Sequence, residues 1–205
     1  MQCRSRKPWA TGCLRKADRV WAALGLCAAL LASPLHAEAR NYASGFVGAM
    51  TDNEWGDLAI DWGSVSWRNS RPVGGIVSRE WPVGRWGYVG IELTGAKYLG
   101  EQTHFEFAVP LFVRTPRPEN VLLPSLAYGL GVSYATEPPK TEIARTGEST
   151  EWLAHWFFDI EFGNDQSKVR PFVRLHHRSH AWETFAARTG SNAIVAGLRF
   201  PLGGG

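Results

Sequence analysis

The feature that most restricts this chain is an alternation of apolar and polar residues with period two, held for ten residues or more at a time. In His104–Val113, Phe105, Phe107, Val109, Leu111 and Val113 share one face, and His104, Glu106, Ala108 and Pro110 share the other. Trp152–Phe162 repeats the pattern, with Trp152, Ala154, Trp156, Phe158, Ile160 and Phe162 opposed by His155, Asp159 and Glu161. In Leu122–Tyr134 the second face is small, with Ser125, Ala127, Gly129, Gly131 and Ser133 against Leu126, Tyr128, Leu130, Val132 and Tyr134. Near the carboxyl end Ile194, Ala196, Leu198 and Phe200 alternate with Val195, Gly197 and Arg199. Successive strand residues point to opposite sides, so each stretch reads as a strand with one apolar face. Long helical periodicity is absent after Arg40, which makes the fold class all-β.

Two architectures accept such strands. A soluble antiparallel sandwich or barrel turns the apolar faces inward. A membrane barrel turns them outward to lipid and keeps small, polar and ionisable residues in its lumen. Three observations favour the second. The polar faces carry charges of both signs (Glu92, Glu106, Asp159, Glu161, Arg174, Arg178), which a narrow lumen pairs across itself. The apolar faces are rich in Trp, Phe and Tyr, suited to interfacial girdles. Runs of about ten residues match a tilted membrane strand.

Counting gives eight strands, Tyr42–Met50, Val73–Trp81, Gly87–Lys97, His104–Val113, Leu122–Tyr134, Trp152–Phe162, Arg170–His177 and Ala193–Phe200. The expectation is an eight-stranded antiparallel transmembrane β-barrel whose lumen is filled by side chains. The connections after strands 1, 5 and 7 are long and those after strands 2, 4 and 6 short. In an outer-membrane barrel that asymmetry puts the long loops outside and both termini in the periplasm.

Residues 1–39 read as an address. A basic region ends at Arg19, an apolar stretch runs from Val20 to Ser33, and Ala37-Glu38-Ala39 closes it, the order of a secretory signal peptide cut before Arg40 or after Ala37. This segment holds Cys3, Cys13 and Cys27, the chain's three cysteines, with six of its 22 basic and two of its 19 acidic residues. The remaining domain, 40–205, has 16 basic against 17 acidic residues and no cysteine. That balance argues against a nucleic-acid binder, a disulfide scaffold and a cysteine-ligated metal site.

One constellation carries candidate chemistry. In extended chain, Arg174, His176 and Arg178 share the lumen face, so His177 and Ser179 face outward at the end of strand 7. A His and a Ser on one strand face supply a base and a weak nucleophile in need of one, and a polar pair at the lipid boundary needs a reason. His176, His177 and His180 cluster in sequence, but His176 faces away from His177, a poor arrangement for a metal. Thr141–Glu151 reads as a solvated loop. With Asp52–Asp61 it is also a candidate for divalent ions bridging lipopolysaccharide phosphates.

His177-x-Ser179 on the penultimate strand of an exported eight-stranded barrel resembles the lipid A 3-O-deacylase (PagL) family of outer-membrane serine esterases. The resemblance is specific over Val169–Phe200. It implies Ser179 as nucleophile, His177 as general base, no cofactor, lipid A or lipopolysaccharide as substrate, and passage through the outer-membrane assembly machinery. Two positions depart from the family. Its acid, twelve residues after the serine, is Ser191 here, leaving Glu183 as the acid in the loop; its Asn after the serine is His180. Two rivals stand beside this reading: a non-catalytic outer-membrane barrel binding lipid or an envelope partner, and a soluble periplasmic barrel holding an apolar ligand inside.

Overall fold

Each alternating stretch becomes one strand, and the strands pair in chain order until the last meets the first. The computed structural model describes residues 39–60, 62–181, 184–185 and 187–203. The expected signal segment up to residue 38 and Glu183 lie outside the described residues. The strands are β1 (Arg40–Thr51), β2 (Ser70–Pro82), β3 (Tyr88–Gly100), β4 (Phe105–Arg114), β5 (Pro124–Ala135), β6 (Trp152–Phe162), β7 (Arg170–Ser179) and β8 (Gly190–Leu202). All neighbours are antiparallel and β8 pairs with β1 from Asn41↔Leu202 to Thr51↔Asn192, closing the barrel. Closure leaves no unpaired edge. Strands β1, β2, β7 and β8 run past their expected ends, β6 keeps them, and β3, β4 and β5 begin one or two residues late, because ladder pairing rather than the hydrophobic pattern sets the ends.

The barrel is inverted relative to a soluble protein. Leu111, Val113, Tyr128, Leu130 and Phe105 point outward and are exposed, whereas Arg170, Arg174, Arg178 and Arg199 are fully buried inside. This is the residue distribution of a membrane-spanning barrel. It leaves no room for the soluble alternative, whose apolar ligand would share the lumen with four arginines.

Ion pairs fill the centre. Arg174 donates to Asp159 Oδ1 at 2.7 Å and to Glu92 Oε1 at 2.5 Å, and its guanidinium lies 3.7 Å from the centre of the Phe157 ring. Arg199 reaches Glu161 at 2.8 Å and Glu80 at 3.2 Å, and Arg114 reaches Glu80 at 3.1 Å. Glu80, Arg114 and Arg199 thus join the charges expected to pair across the lumen. Removing one member of such a set strands the others without solvent, a cost of about 3–5 kcal/mol.

Between the charges sit four inward rings, each directly opposite a glycine on the next strand: Phe46↔Gly74, Gly90↔Phe112, Gly129↔Phe157 and Phe172↔Gly197. A Cβ at Gly129 would lie 2.2 Å from the Phe157 ring, and one at Gly197 2.6 Å from the Phe172 ring. The glycines are the floor on which the rings lie.

Two connections depart from the expected plain loops. Helix α1 (Trp55–Ile60) lies between β1 and β2, and helix α2 (Lys140–Thr146) between β5 and β6. The expectation of a solvated stretch over Thr141–Glu151 is corrected at its start, since Thr141 and Glu142 are buried. Glu142 accepts hydrogen bonds from Ser149 (2.6 Å) and Ser191 (2.8 Å) and lies 3.4 Å from Arg178, so inward polar partners draw α2 into the barrel mouth. Gly147, left-handed at φ 83°, ends the helix and donates its N–H to the Ile143 carbonyl. Asp52, in the other stretch considered for divalent ions, is bound by Arg68 Nε at 2.5 Å. That hydrogen bond and one to Glu101 hold the Arg68 guanidinium above its ordinary pKa against the opposing effect of burial.

Candidate active site on the outer face of β6–β8

Four side chains form one row across the outer face at the long-loop end. Trp156 on β6 is opposite His177 on β7, His177 is opposite Asn192 on β8, and Asn192 is opposite Thr51 on β1. One step nearer the loops the row is Ala154, Ser179 and Gly190. His177 and Ser179 therefore face outward together, as the arginine alternation requires, and His176 points into the lumen.

The new member is Asn192. Its Oδ1 lies 2.6 Å from His177 Nδ1, and its Nδ2 donates to the backbone carbonyl of Asn53 at 2.8 Å. The carbonyl fixes the amide orientation, because only the NH₂ end can donate to it. Oδ1 is left to accept from the ring, so Nδ1 carries the proton and Nε2 offers its lone pair. Asn53 is itself pinned: its N–H donates to Thr51 Oγ1 at 3.1 Å, and its Oδ1 accepts from the Ser66 N–H at 2.7 Å. The β1–β2 connection thus holds the orienter of His177 in place. On the other side the Trp156 ring lies 4.6 Å from the imidazole, and Trp55 of α1 meets Trp156 edge-on at 6.0 Å. The base sits between an aromatic wall and an amide.

The remaining sequence candidates separate. Ser179 Oγ makes no hydrogen bond to His177 or to any other group among the described residues. Ser191, at the resembled family's acid position, faces inward and donates to Glu142. Adjacent strand residues face opposite sides, so the next residue, Asn192, is the one that meets the histidine. His180 stands where the family has Asn, and its Nδ1 lies 3.3 Å from the Thr189 carbonyl oxygen. Glu183, the acid of the loop, lies outside the described residues, and the group found at His177 Nδ1 is Asn192. The signal that finds Asn192 is the β7–β8 register, in which positions 179 and 190 pair and 177 and 192 follow.

No family model matches the chain. No curated protein matches it in sequence. Among solved structures it is similar to Neisserial surface protein A (8% identity, TM-score 0.46, covering 79% of this chain and 97% of that one). It is similar to the outer membrane protein OprG from Pseudomonas aeruginosa (9%, 0.38, 82% and 97%) and to OmpT, an outer membrane protein of Vibrio cholerae (12%, 0.31, 82% and 53%). The likeness concerns the path of the chain and carries nothing about function.

Proposed function

We propose that this chain is a bacterial outer-membrane serine esterase that removes an ester-linked acyl chain from lipid A, as the deacylase resemblance implies. The observation that carries the reading is the bond from His177 Nδ1–H to Asn192 Oδ1 on the outward face, with Ser179 two residues along the same face. Such a bond leaves Nε2 as the base and holds the ring still, which is the task of the third member of a nucleophile–base–orienter set. An orienter on the lipid side of a barrel serves a substrate that lies in the bilayer. The exposed apolar band and the even strand number support that location, with both termini in the periplasm and assembly by the outer-membrane insertion machinery.

In this mechanism the Ser179 hydroxyl turns toward His177 as the acyl ester arrives. His177 Nε2 takes the proton while Oγ attacks the ester carbonyl, and the same proton passes to the departing sugar oxygen. Water, deprotonated by His177, then attacks the acyl-serine and restores Ser179. Asn192 orients the ring without supplying a charge, so the imidazolium gains less from it than from a carboxylate.

The free Ser179 hydroxyl favours a second reading, a barrel that keeps the fold and binds lipid without turning it over. Labelling with a fluorophosphonate separates the two. An esterase gives a covalent adduct on Ser179, located by peptide mass spectrometry and lost in His177→Ala. A folded barrel whose Ser179 stays unmodified contradicts the esterase reading.

A further inference from the structure

Directly behind His177, inside the lumen, three ligand-type side chains from three strands converge: Glu106 of β4, His155 of β6 and His176 of β7. They are all buried, with one donor atom from each lying within 4.8 Å of the others. His155 presents a lone pair. Its Nδ1 lies 3.1 Å from the His177 carbonyl oxygen and donates to it, and its Nε2, fully buried, has no hydrogen-bond partner. An N–H held by a backbone carbonyl with the opposite nitrogen left open is how proteins prepare a histidine for a metal. His176 Nε2 is 3.0 Å from Glu106 Oε1, and the two imidazoles lie 4.4 Å apart.

The pairing of charges in the lumen points the same way. Glu80, Glu92, Asp159, Glu161 and Glu142 each have an arginine at 2.5–3.4 Å. Glu106 has no such arginine among the described residues. Its oxygens accept from Ser133 Oγ and Tyr98 Oη, both at 2.7 Å, and its other close neighbour is His176 Nε2 at 3.0 Å. A buried carboxylate beside two imidazoles, with no guanidinium at ion-pair distance among the described residues, has room for a cation of its own.

We infer that Glu106, His155 and His176 form a divalent-metal site in the barrel lumen, suited to zinc or a similar borderline ion. Two imidazoles and one carboxylate are a donor set for zinc and for other first-row ions, and exclude calcium and magnesium as preferred guests. Tetrahedral zinc at about 2.0–2.1 Å from each ligand requires donors roughly 3.4 Å apart, so donors that lie within 4.8 Å of one another close by at most about 1.4 Å. Tyr98 and Ser133 stay on Glu106 as outer partners. The ion ties β4, β6 and β7 together and fixes the backbone of His177 through His155, a link that does not depend on what the outer face does.

The test refolds the full chain in detergent with zinc sulfate as the only added metal, then exchanges it into metal-free buffer. Zinc is counted by plasma mass spectrometry against barrel judged folded by heat-modifiable gel mobility. The site predicts one zinc per folded wild-type barrel, retained in His180→Ala, and an affinity lower by about 100-fold or more in His155→Phe and in Glu106→Gln. That exceeds the 10–100-fold typical of losing an outer partner. Glu106→Gln keeps the shape and one acceptor oxygen, and its NH₂ can donate to the hydroxyl that loses its acceptor, so it decides the matter if His155→Phe does not fold. Folded wild type without zinc, zinc held equally by Glu106→Gln, or zinc lost in His180→Ala overturns the inference.

Discussion

His177 Nδ1 and Asn192 Oδ1 stand 2.6 Å apart across the β7–β8 pair, and the Asn53 carbonyl fixes the amide that joins them. A neutral orienter holds the ring but adds little to the charge it acquires. Asn192→Ala is expected to lower kcat/KM for a short-chain aryl ester by roughly 100-fold, about 2.7 kcal/mol, with the barrel still folded. Asn192→Asp keeps the acceptor and adds a charge that stabilises the imidazolium, so activity is expected to equal or exceed wild type. Esterase assays on the refolded variants check both.

Arg174 holds Asp159 and Glu92 and lies over Phe157. Arg174→Met leaves two carboxylates facing each other without their shared cation. The expected loss is about 3–5 kcal/mol, read from urea unfolding in detergent. Adding Glu92→Gln to the same chain removes one unpaired charge and is expected to recover part of it.

Phe157 cannot yield to a side chain at Gly129, because it is fully buried and Arg174 covers it. Gly129→Ala is therefore expected to cost about 1–3 kcal/mol. Gly45 faces outward with nothing within 4 Å of an added Cβ, so Gly45→Ala is expected to change stability by less than about 0.5 kcal/mol. Thermal melts of the two variants side by side provide the comparison.

Asp165, in the β6–β7 turn, binds Arg40 at 2.7 Å and the Tyr88 hydroxyl at 2.8 Å. Partial burial pushes its carboxyl up, and the hydrogen bonds from Arg40 and Tyr88 outweigh this, so its pKa lies below the ordinary value. A depressed carboxyl stabilises the fold above its unfolded pKa, about 3.9, and the contribution fades as pH falls through the folded value. The stability difference between wild type and Asp165→Asn is expected to be present at pH 7 and to shrink steadily below about pH 4. Urea unfolding at a series of pH values measures it.

Most of the barrel is legible in the sequence because period-two alternation fixes strand, face and location together. Phe105 through Val113 alternate outward and inward as expected, and Arg174, His176 and Arg178 place His177 and Ser179 outside. What alternation cannot supply is register. Asn192 meets His177 through the β7–β8 register, and Glu106 of β4 meets His155 and His176 across the lumen, from strands with which it does not pair. The loops escaped for a related reason. Glu142 looks like a solvated acid until Arg178, Ser149 and Ser191 are seen around it. Sequence spacing leads to Ser191, the family's acid position, and only the pairing shows that Asn192, one residue on, faces the histidine.

The central claim is that Ser179 hydrolyses an acyl ester of lipid A. Its most direct measurement is mass spectrometry of lipid A from cells expressing wild type or Ser179→Ala at equal levels of heat-modifiable barrel. The account predicts a lipid A species lighter by one ester-linked acyl chain with wild type and its absence with Ser179→Ala. The same acylation pattern in both strains would contradict it.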